Sequence, residues 1–152
     1  MAKINRTAAT ETYNALQMVS KSMGEDNDCS VIAIATVCQV SYTQAHETCK
    51  KFGRQANGGM FNYDISRAIK SLGFTLTEVK PSDFIRQYPK GHCDVLKNVT
   101  THHPERFNKV WADGETYVVY CKGHVLAVVN GVNHDWTKGK AKLVIGIYKI
   151  TK

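Results

Sequence analysis

The sequence predicts a single α+β domain over residues 1–152, with helices in its first half and an antiparallel sheet in its second half. The chain has 152 residues, of which 43% are apolar or aromatic. This length is enough for one domain with a hydrophobic core and too short for two domains of ordinary size. Apolar residues recur at helical spacing before Gly73, and short strand-like runs with Gly-containing turns follow it. Helices in one stretch and strands in another are typical of an α+β domain.

The first two predicted helices flank a polar segment. Residues 8–22 place Tyr13, Leu16 and Val19 near helical spacing, and Gly24 is a plausible stop. A second helix is predicted to follow Asn27 or Asp28 as N-cap, to begin at the cysteine and to run through VIAIATVC. That run is apolar all round, so as a helix it is central and buried. Its β-branched residues leave a buried strand as an open alternative.

Two further helices are bounded by caps and glycines. Ser41 and Gln44 form the S-x-x-Q pattern of a capping box, and the helix they begin is predicted to stop at Gly53. Asn62 is predicted to cap YDISRAIKSL, which ends at Gly73.

The second half alternates between strands and less regular segments. FTLTEVK (74–80) predicts a strand closed by Pro81, PSDFIRQY (81–88) a short helical turn, and 89–103 a loop. A helix is predicted at 104–113, with Pro104 at its first position and Gly114 past its end. Four strands should follow: TYVVYC, HVLAVVN, VNHDW and KLVIGIYKI. The joining segments Lys122-Gly123, Asn130-Gly131 and Thr137-Lys138-Gly139 predict an antiparallel meander.

Composition narrows the class of protein. The net charge is +7, but the basic residues are scattered and no zinc-finger or RNA-recognition signature accompanies them, which favours a solvated basic surface over nucleic-acid binding. No apolar run approaches the roughly 20 residues of a membrane span, and the start MAKINRTAATET lacks the apolar middle of a secretory signal. The five cysteines are odd in number and fit no disulfide framework, so we expect a cytoplasmic protein without a membrane partner.

A histidine and an aspartate are predicted to meet across one hairpin. If Asn130-Gly131 is a two-residue turn, Val129 faces Val132, and His124 and Asp135 project from the same face as diagonal neighbours. Such neighbours lie roughly 7 to 8 Å apart at Cα, which an aspartate side chain can span. An acceptor that orients the imidazole is what a general base requires.

Cys29 is the thiol placed to complete this pair. A helix N-terminus favours the thiolate, and a nearby imidazolium would lower the thiol pKa further. The other cysteines lie within helical stretches, at a strand end or in a loop. The alternative is that Cys29 only packs in the core, that His124 is a satisfied core histidine and that Asp135 caps a turn.

The segments NDCSVIA and GHVLAVVNGVNHDW together resemble the papain-like cysteine peptidase superfamily, in particular small bacteriocin-processing peptidases and their bacteriophage-encoded relatives. The resemblance covers residues 24–73 and 104–150. It implies a papain-like fold in which Cys29 is the nucleophile, His124 the general base and later acid, and Asp135 the residue that orients His124. It also implies a protein or peptide substrate, of the host or the phage, in the host cytoplasm, and no cofactor.

The sequence departs from that family at the oxyanion hole. The family usually places a glutamine about six residues before its cysteine, and Met23 stands there in this chain. Asn27 could supply the amide donor beside the backbone N–H of Cys29, or it could serve only as a helix cap.

The sequence is also compatible with other functions. A papain-like scaffold without catalysis could bind or inhibit a host protein, and GHVLAVV also echoes the histidine segment of cell-wall amidases. Cys121-x-x-His124, His92-Cys93 and His102-His103 lack the paired spacing of a zinc site, so no metal is expected.

Overall fold

Four helices pack on a five-stranded antiparallel sheet in the computed structural model, which describes residues 11–79, 114–130, 132–136 and 144–152. The α+β prediction is therefore confirmed. The elements in chain order are α1 (Glu11–Ser22), α2 (Cys29–Cys38), α3 (Tyr42–Lys51), α4 (Asn62–Ser71), β1 (Thr75–Glu78), β2 (Thr116–Cys121), β3 (His124–Val129), β4 (Val132–Asn133) and β5 (Val144–Thr151).

The sheet is not the simple meander that the turns predicted. Its strand order is β1-β5-β2-β3-β4, with antiparallel neighbours throughout. Strands β2, β3 and β4 do follow one another, but β5 crosses to the other side and inserts between β2 and β1. The segment VNHDW is a strand only at Val132–Asn133. Since β4 offers an edge of two residues and β2 one of six, β5 gains more backbone hydrogen bonds beside β2.

The apolar run that begins at Cys29 forms a helix, α2, and not a buried strand. All its residues from Ser30 to Cys38 are buried, and Val31 and Ile34 are fully inaccessible. It packs against β3 on one side and against α1, α3 and α4 on others, so an all-apolar surface suits its position. The Thr36 hydroxyl donates to the carbonyl of Ile32 at 2.8 Å, which satisfies that polar group inside the helix.

Helix boundaries follow the predicted caps with one correction. The Ser41 hydroxyl accepts a hydrogen bond from the backbone N–H of Gln44 at 3.1 Å, as the capping pattern predicts. Asn62, however, is the first residue of α4, and Phe61 occupies the N-cap position without a side-chain cap. At α2 the N-cap is Asp28, one of the two predicted cap residues.

The apolar core lies between the helices and one face of the sheet. Alternate residues of the strands point into it, including Val118 and Tyr120 of β2 and Val125 and Ala127 of β3. The turn predicted at 81–88, the loop at 89–103, the helix at 104–113 and the turn at 137–139 lie outside the described residues. Within the described part of the chain, no helix is both long and apolar enough to cross a membrane.

Candidate active site

His124 and Asp135 meet at one end of the β3–β4 hairpin. Val129 pairs with Val132, the register that the Asn-Gly turn predicts. The N–H of His134 donates to the carbonyl of Ala127 at 2.9 Å, which extends the pairing beyond β4. His124 Nε2 then lies 2.7 Å from Asp135 Oδ2, and both side chains are buried, at 7% and 4% exposure. The carboxylate therefore holds the imidazole in one orientation.

Cys29 lies against the other edge of the same imidazole. It is the first residue of α2 and is half-buried. Its thiol forms a hydrogen bond with the His124 ring, and the backbone N–H of Val125 also donates to its sulfur. Because Nε2 is engaged by Asp135, Nδ1 is the ring nitrogen that remains for the thiol. The structure thus brings together in one chain of hydrogen bonds the three residues that the sequence singled out.

The electrostatics of this chain favour an ion pair of thiolate and imidazolium. Burial opposes the charged form of Cys29, but the hydrogen bond and positive charge of His124 outweigh it, so the thiol pKa lies below its usual 9.0. Burial likewise opposes the imidazolium, yet the hydrogen bonds with Asp135 and Cys29 raise the pKa of His124 to about 9. By contrast, burial raises the pKa of the Cys38 and Cys49 thiols to about 12. Among these cysteines, Cys29 alone has a stabilised thiolate.

Asp28 turns its side chain away from the helix that it precedes. Its carboxylate accepts hydrogen bonds from the Ser20 hydroxyl at 2.5 Å and the Tyr42 hydroxyl at 2.6 Å, and it makes no side-chain cap on α2. No carboxylate from the cap residue therefore occupies the first-turn N–H groups beside Cys29. This leaves the positive end of α2 directed at the region around the sulfur.

Two pockets flank the pair of Cys29 and His124. The first has a volume of about 300 Å³ and the second about 280 Å³, and both are also lined by Asn27 and Gly123. The first pocket is further lined by Tyr13, Gln17, Asp26, Asp28, Ile32, Asp135 and Trp136. The second is further lined by Ser30, Gly59, Met60, Asn62, Ile65, Cys121, Val125 and Ile145. A chain lying across Cys29 would have room on both sides of the sulfur.

The residues that α1 contributes to the site were not predicted from the sequence. Tyr13 and Gln17 of α1 reach the first pocket, and Gln17 Oε1 is buried with no hydrogen-bond partner in the part of the chain that the structure describes. The Trp136 ring lies edge-on to the His124 ring, 5.6 Å between centroids, and forms a wall of the pocket. Nothing in the α1 pattern pointed to a pocket.

Asn27 lies where an oxyanion donor or a cap was expected. It is exposed, has a left-handed backbone conformation with φ of 51°, and lines both pockets. Since Asp28 takes the N-cap position, the cap hypothesis for Asn27 is wrong. The donor hypothesis stays a prediction.

Neither a metal ligand set nor a recognised relative accompanies this site. The described residues contain no group of three or more His, Cys, Asp or Glu side chains that could hold a metal ion, and His92-Cys93 and His102-His103 lie outside them. No protein-family model matches the sequence, and no curated protein or solved structure matches the chain.

Proposed function

We propose that the protein is a papain-like thiol hydrolase that cleaves a peptide or isopeptide bond through Cys29, His124 and Asp135. The single observation that supports this most strongly is the hydrogen-bonded chain from Cys29 through His124 to Asp135, located between two pockets. A core cysteine has no need of a histidine oriented by a buried carboxylate, whereas a nucleophile does.

The proposed reaction has two halves. The Cys29 thiolate attacks the substrate carbonyl to form a tetrahedral oxyanion. That intermediate collapses to a thioester as the C–N bond breaks, and imidazolium His124 gives its proton to the departing amine. Neutral His124 then takes a proton from water, whose oxygen attacks the thioester. The carboxylic acid leaves as the C–S bond breaks, which restores the Cys29 thiolate and the His124 imidazolium. Asp135 keeps the imidazole in place and stabilises its charged form throughout.

The oxyanion requires donors that do not depend on the missing glutamine. The backbone N–H of Cys29, at the start of α2, is one candidate donor. The Asn27 side-chain amide is the second that we propose, since Asn27 lines both pockets beside Cys29. Gln17 lines the first pocket and is the alternative source of that donor.

The substrate class follows from the pockets and the resemblance. An open groove on both sides of Cys29 suits an extended polypeptide better than a small amide. We propose a host or phage protein acted on in the cytoplasm during infection, an assignment that depends on the sequence resemblance.

Selective labelling of Cys29 tests the chemistry. At pH 7 iodoacetamide should alkylate Cys29 faster than Cys38 by about tenfold or more. The pKa of Cys29 is lowered and that of Cys38 is raised to about 12, so a far larger fraction of Cys29 is thiolate, which the weaker nucleophilicity of the more acidic thiol offsets only in part. Mass spectrometry of the modified peptides would measure both rates. Equal reactivity of the two thiols in the folded protein would remove the chemical basis of the proposal.

Substitution of Cys29 tests the function. Cys29→Ala should abolish cleavage of proteins in a host lysate and leave the thermal unfolding transition nearly unchanged, because it removes one half-buried sulfur at a helix start. Cys38→Ala, at the other end of α2, is the matched control and should retain cleavage. Selective labelling of Cys29 without any cleavage would instead favour a binding or inhibitory scaffold.

A further inference from the structure

A buried ion pair lies behind the loop that leads into Cys29. Arg54 Nη1 is 2.8 Å from Glu25 Oε2 and Nη2 is 3.3 Å from Oε1, and both side chains are almost inaccessible, at 2% and 4% exposure. The two residues are 29 positions apart. The guanidinium therefore joins the end of α3 to the segment between α1 and α2.

This pair holds main chain as well as side chain. Arg54 Nη2 also donates to the backbone carbonyl of Asp26 at 3.2 Å. The N–H of Asn57 donates to Glu25 Oε1 at 2.9 Å, and the His46 ring is hydrogen-bonded to Glu25 Oε2. These contacts fix the path of the chain at residues 25 and 26.

Stability alone is a weak reason for such an arrangement. Taking two charges out of water is costly, and apolar replacements of buried ion pairs are often neutral or stabilising. Here the Arg54 Nε is buried with no partner among the described residues, which adds to the cost. What a guanidinium supplies better than an apolar side chain is a rigid planar fork that fixes several acceptors in one geometry.

The geometry that the pair fixes is the conformation of Asn27. The Asp26 carbonyl before it is held by Arg54, and the Asp28 carboxylate after it is held in the interior. The backbone N–H of Asn27 is also fixed, because it donates to Asp26 Oδ1 at 2.8 Å. The φ of Asn27 is 51°, a value that residues other than glycine rarely adopt. A Cβ added at Gly59 would lie 3.6 Å from Asn27 Nδ2, so the amide lies close over that glycine.

We propose that Arg54 and Glu25 are positioning residues that hold the Asn27 amide where it stabilises the oxyanion formed at Cys29. The inference rests on the proposed function, because only acyl chemistry at Cys29 develops such a charge. Neither Arg54 nor Glu25 lines either of the two pockets beside the Cys29 sulfur, so both act through the loop between α1 and α2 that they hold.

Two electrophiles separate an effect on the oxyanion from an effect on the thiolate. The Cys29 sulfur first adds to the carbonyl carbon of N-acetyl-alanine chloromethyl ketone, which creates an oxyanion. The sulfur then displaces chloride from the methylene, while its bond to the carbonyl carbon breaks and the ketone re-forms. Iodoacetamide loses iodide in one direct displacement without an oxyanion. The ratio of the two alkylation rates at Cys29, measured by mass spectrometry, therefore reports the oxyanion donors independently of turnover.

The ratio should fall when the pair is removed. In the variant Glu25→Gln with Arg54→Met, which keeps an acceptor for Asn57 and leaves no unpaired charge, we expect a loss of about tenfold or more. Arg54→Lys keeps the charge but not the fork and should give an intermediate loss. Arg67→Met is the matched control, an arginine with an exposed ion pair to Asp64, and should leave the ratio within about twofold.

A double-mutant cycle tests whether the pair acts through Asn27. Asn27→Ala should lower the ratio by itself, and removal of the ion pair in that background should lower it no further. Losses that multiply, or a ratio that stays constant because both rates fall together, would overturn the inference. If the double variant at positions 25 and 54 does not fold, as judged by circular dichroism, an unchanged ratio in Arg54→Lys would overturn it.

The alkylation ratio and the cleavage assay test the inference and the proposed function separately. A wild-type ratio no greater than that of free cysteine would overturn the inference, whether or not any protein is cleaved. A high ratio that depends on Arg54, together with no cleavage in a lysate, would uphold the inference and refute protein hydrolysis.

Discussion

Replacing Asp135 with asparagine should lower the pKa of His124 and narrow the pH range of activity from the alkaline side. The change removes a negative charge that lies 2.7 Å from His124 Nε2 and leaves an oxygen acceptor at the same place. The hydrogen bond to the ring nitrogen can therefore persist while the support for the imidazolium is lost. Turnover should fall without vanishing, because the nucleophile stays in place.

The size of the effect follows from the pKa of His124. In the folded protein it is raised from 6.5 to about 9, against the opposing effect of burial, with the Asp135 hydrogen bond the leading favourable cause. At pH 8 a group of pKa 9 is about 90% protonated and one of pKa 6.5 about 3%, so a return of the pKa to its ordinary value would reduce the imidazolium about 30-fold. At pH 6 the same calculation gives a loss of less than about twofold. The hydrogen bond with Cys29 remains in the variant, so part of the shift should persist.

The assay is a pH titration of the His124 ring by carbon NMR. The chain has six histidines, and the variant His124→Gln would identify the resonance that belongs to this one. The midpoint should lie near pH 9 in the wild-type protein and well below it in Asp135→Asn. Asp64→Asn, which removes a carboxylate paired with Arg67 on α4, is the control and should leave the midpoint unchanged.

Two results would refute this reasoning. An unchanged midpoint would mean that another group sustains the charge on His124. A loss of turnover that is equal at pH 6 and pH 8 would mean that Asp135 acts by orienting the ring and not through its charge.

Three further predictions concern stability, each measured by denaturant unfolding. The Arg54 hydrogen bond holds the pKa of Glu25 near 2 instead of 4.5, so ionised Glu25 stabilises the fold above pH 4.5, and up to about 3 kcal/mol of that stability is lost as the pH falls towards 2. Glu25→Gln should abolish this pH dependence of the free energy of unfolding. If the dependence persists in that variant, it comes from another group. Ser41→Ala should cost about 1 kcal/mol through loss of the α3 cap, and no cost would mean that the bond is not maintained in solution. Ile34→Ala should lower the free energy of unfolding by about 2 to 5 kcal/mol, because Ile34 is fully buried. The control Ile145→Ala, at a residue that is 59% exposed, should lower it by less than about 0.5 kcal/mol. Equal losses in the two variants would contradict the packing of α2.

Local chemistry was enough to predict several of the described elements and one contact across a hairpin. Caps and glycines mark α1 and α3 closely, whereas the apolar run after Cys29 was compatible with a helix or a buried strand. The His124–Asp135 contact could be predicted because an Asn-Gly turn sets the register of a hairpin and side chains alternate along its strands. In each case the cause lies within a few residues of the effect.

Only the folded chain decided the features that join distant segments. The place of β5 depends on which strand offers the longer free edge, and no turn encodes that. Asp28 was a typical cap by residue type, but buried hydroxyls of Ser20 and Tyr42 take its carboxylate. The Glu25–Arg54 pair likewise arises from packing of α3 near the loop before α2. Sequence by itself determined which groups could carry the chemistry, because residue type sets reactivity and local spacing sets helix and strand. Tertiary structure decided which of those groups are neighbours and which are already engaged, because contacts between remote segments depend on how the whole core packs.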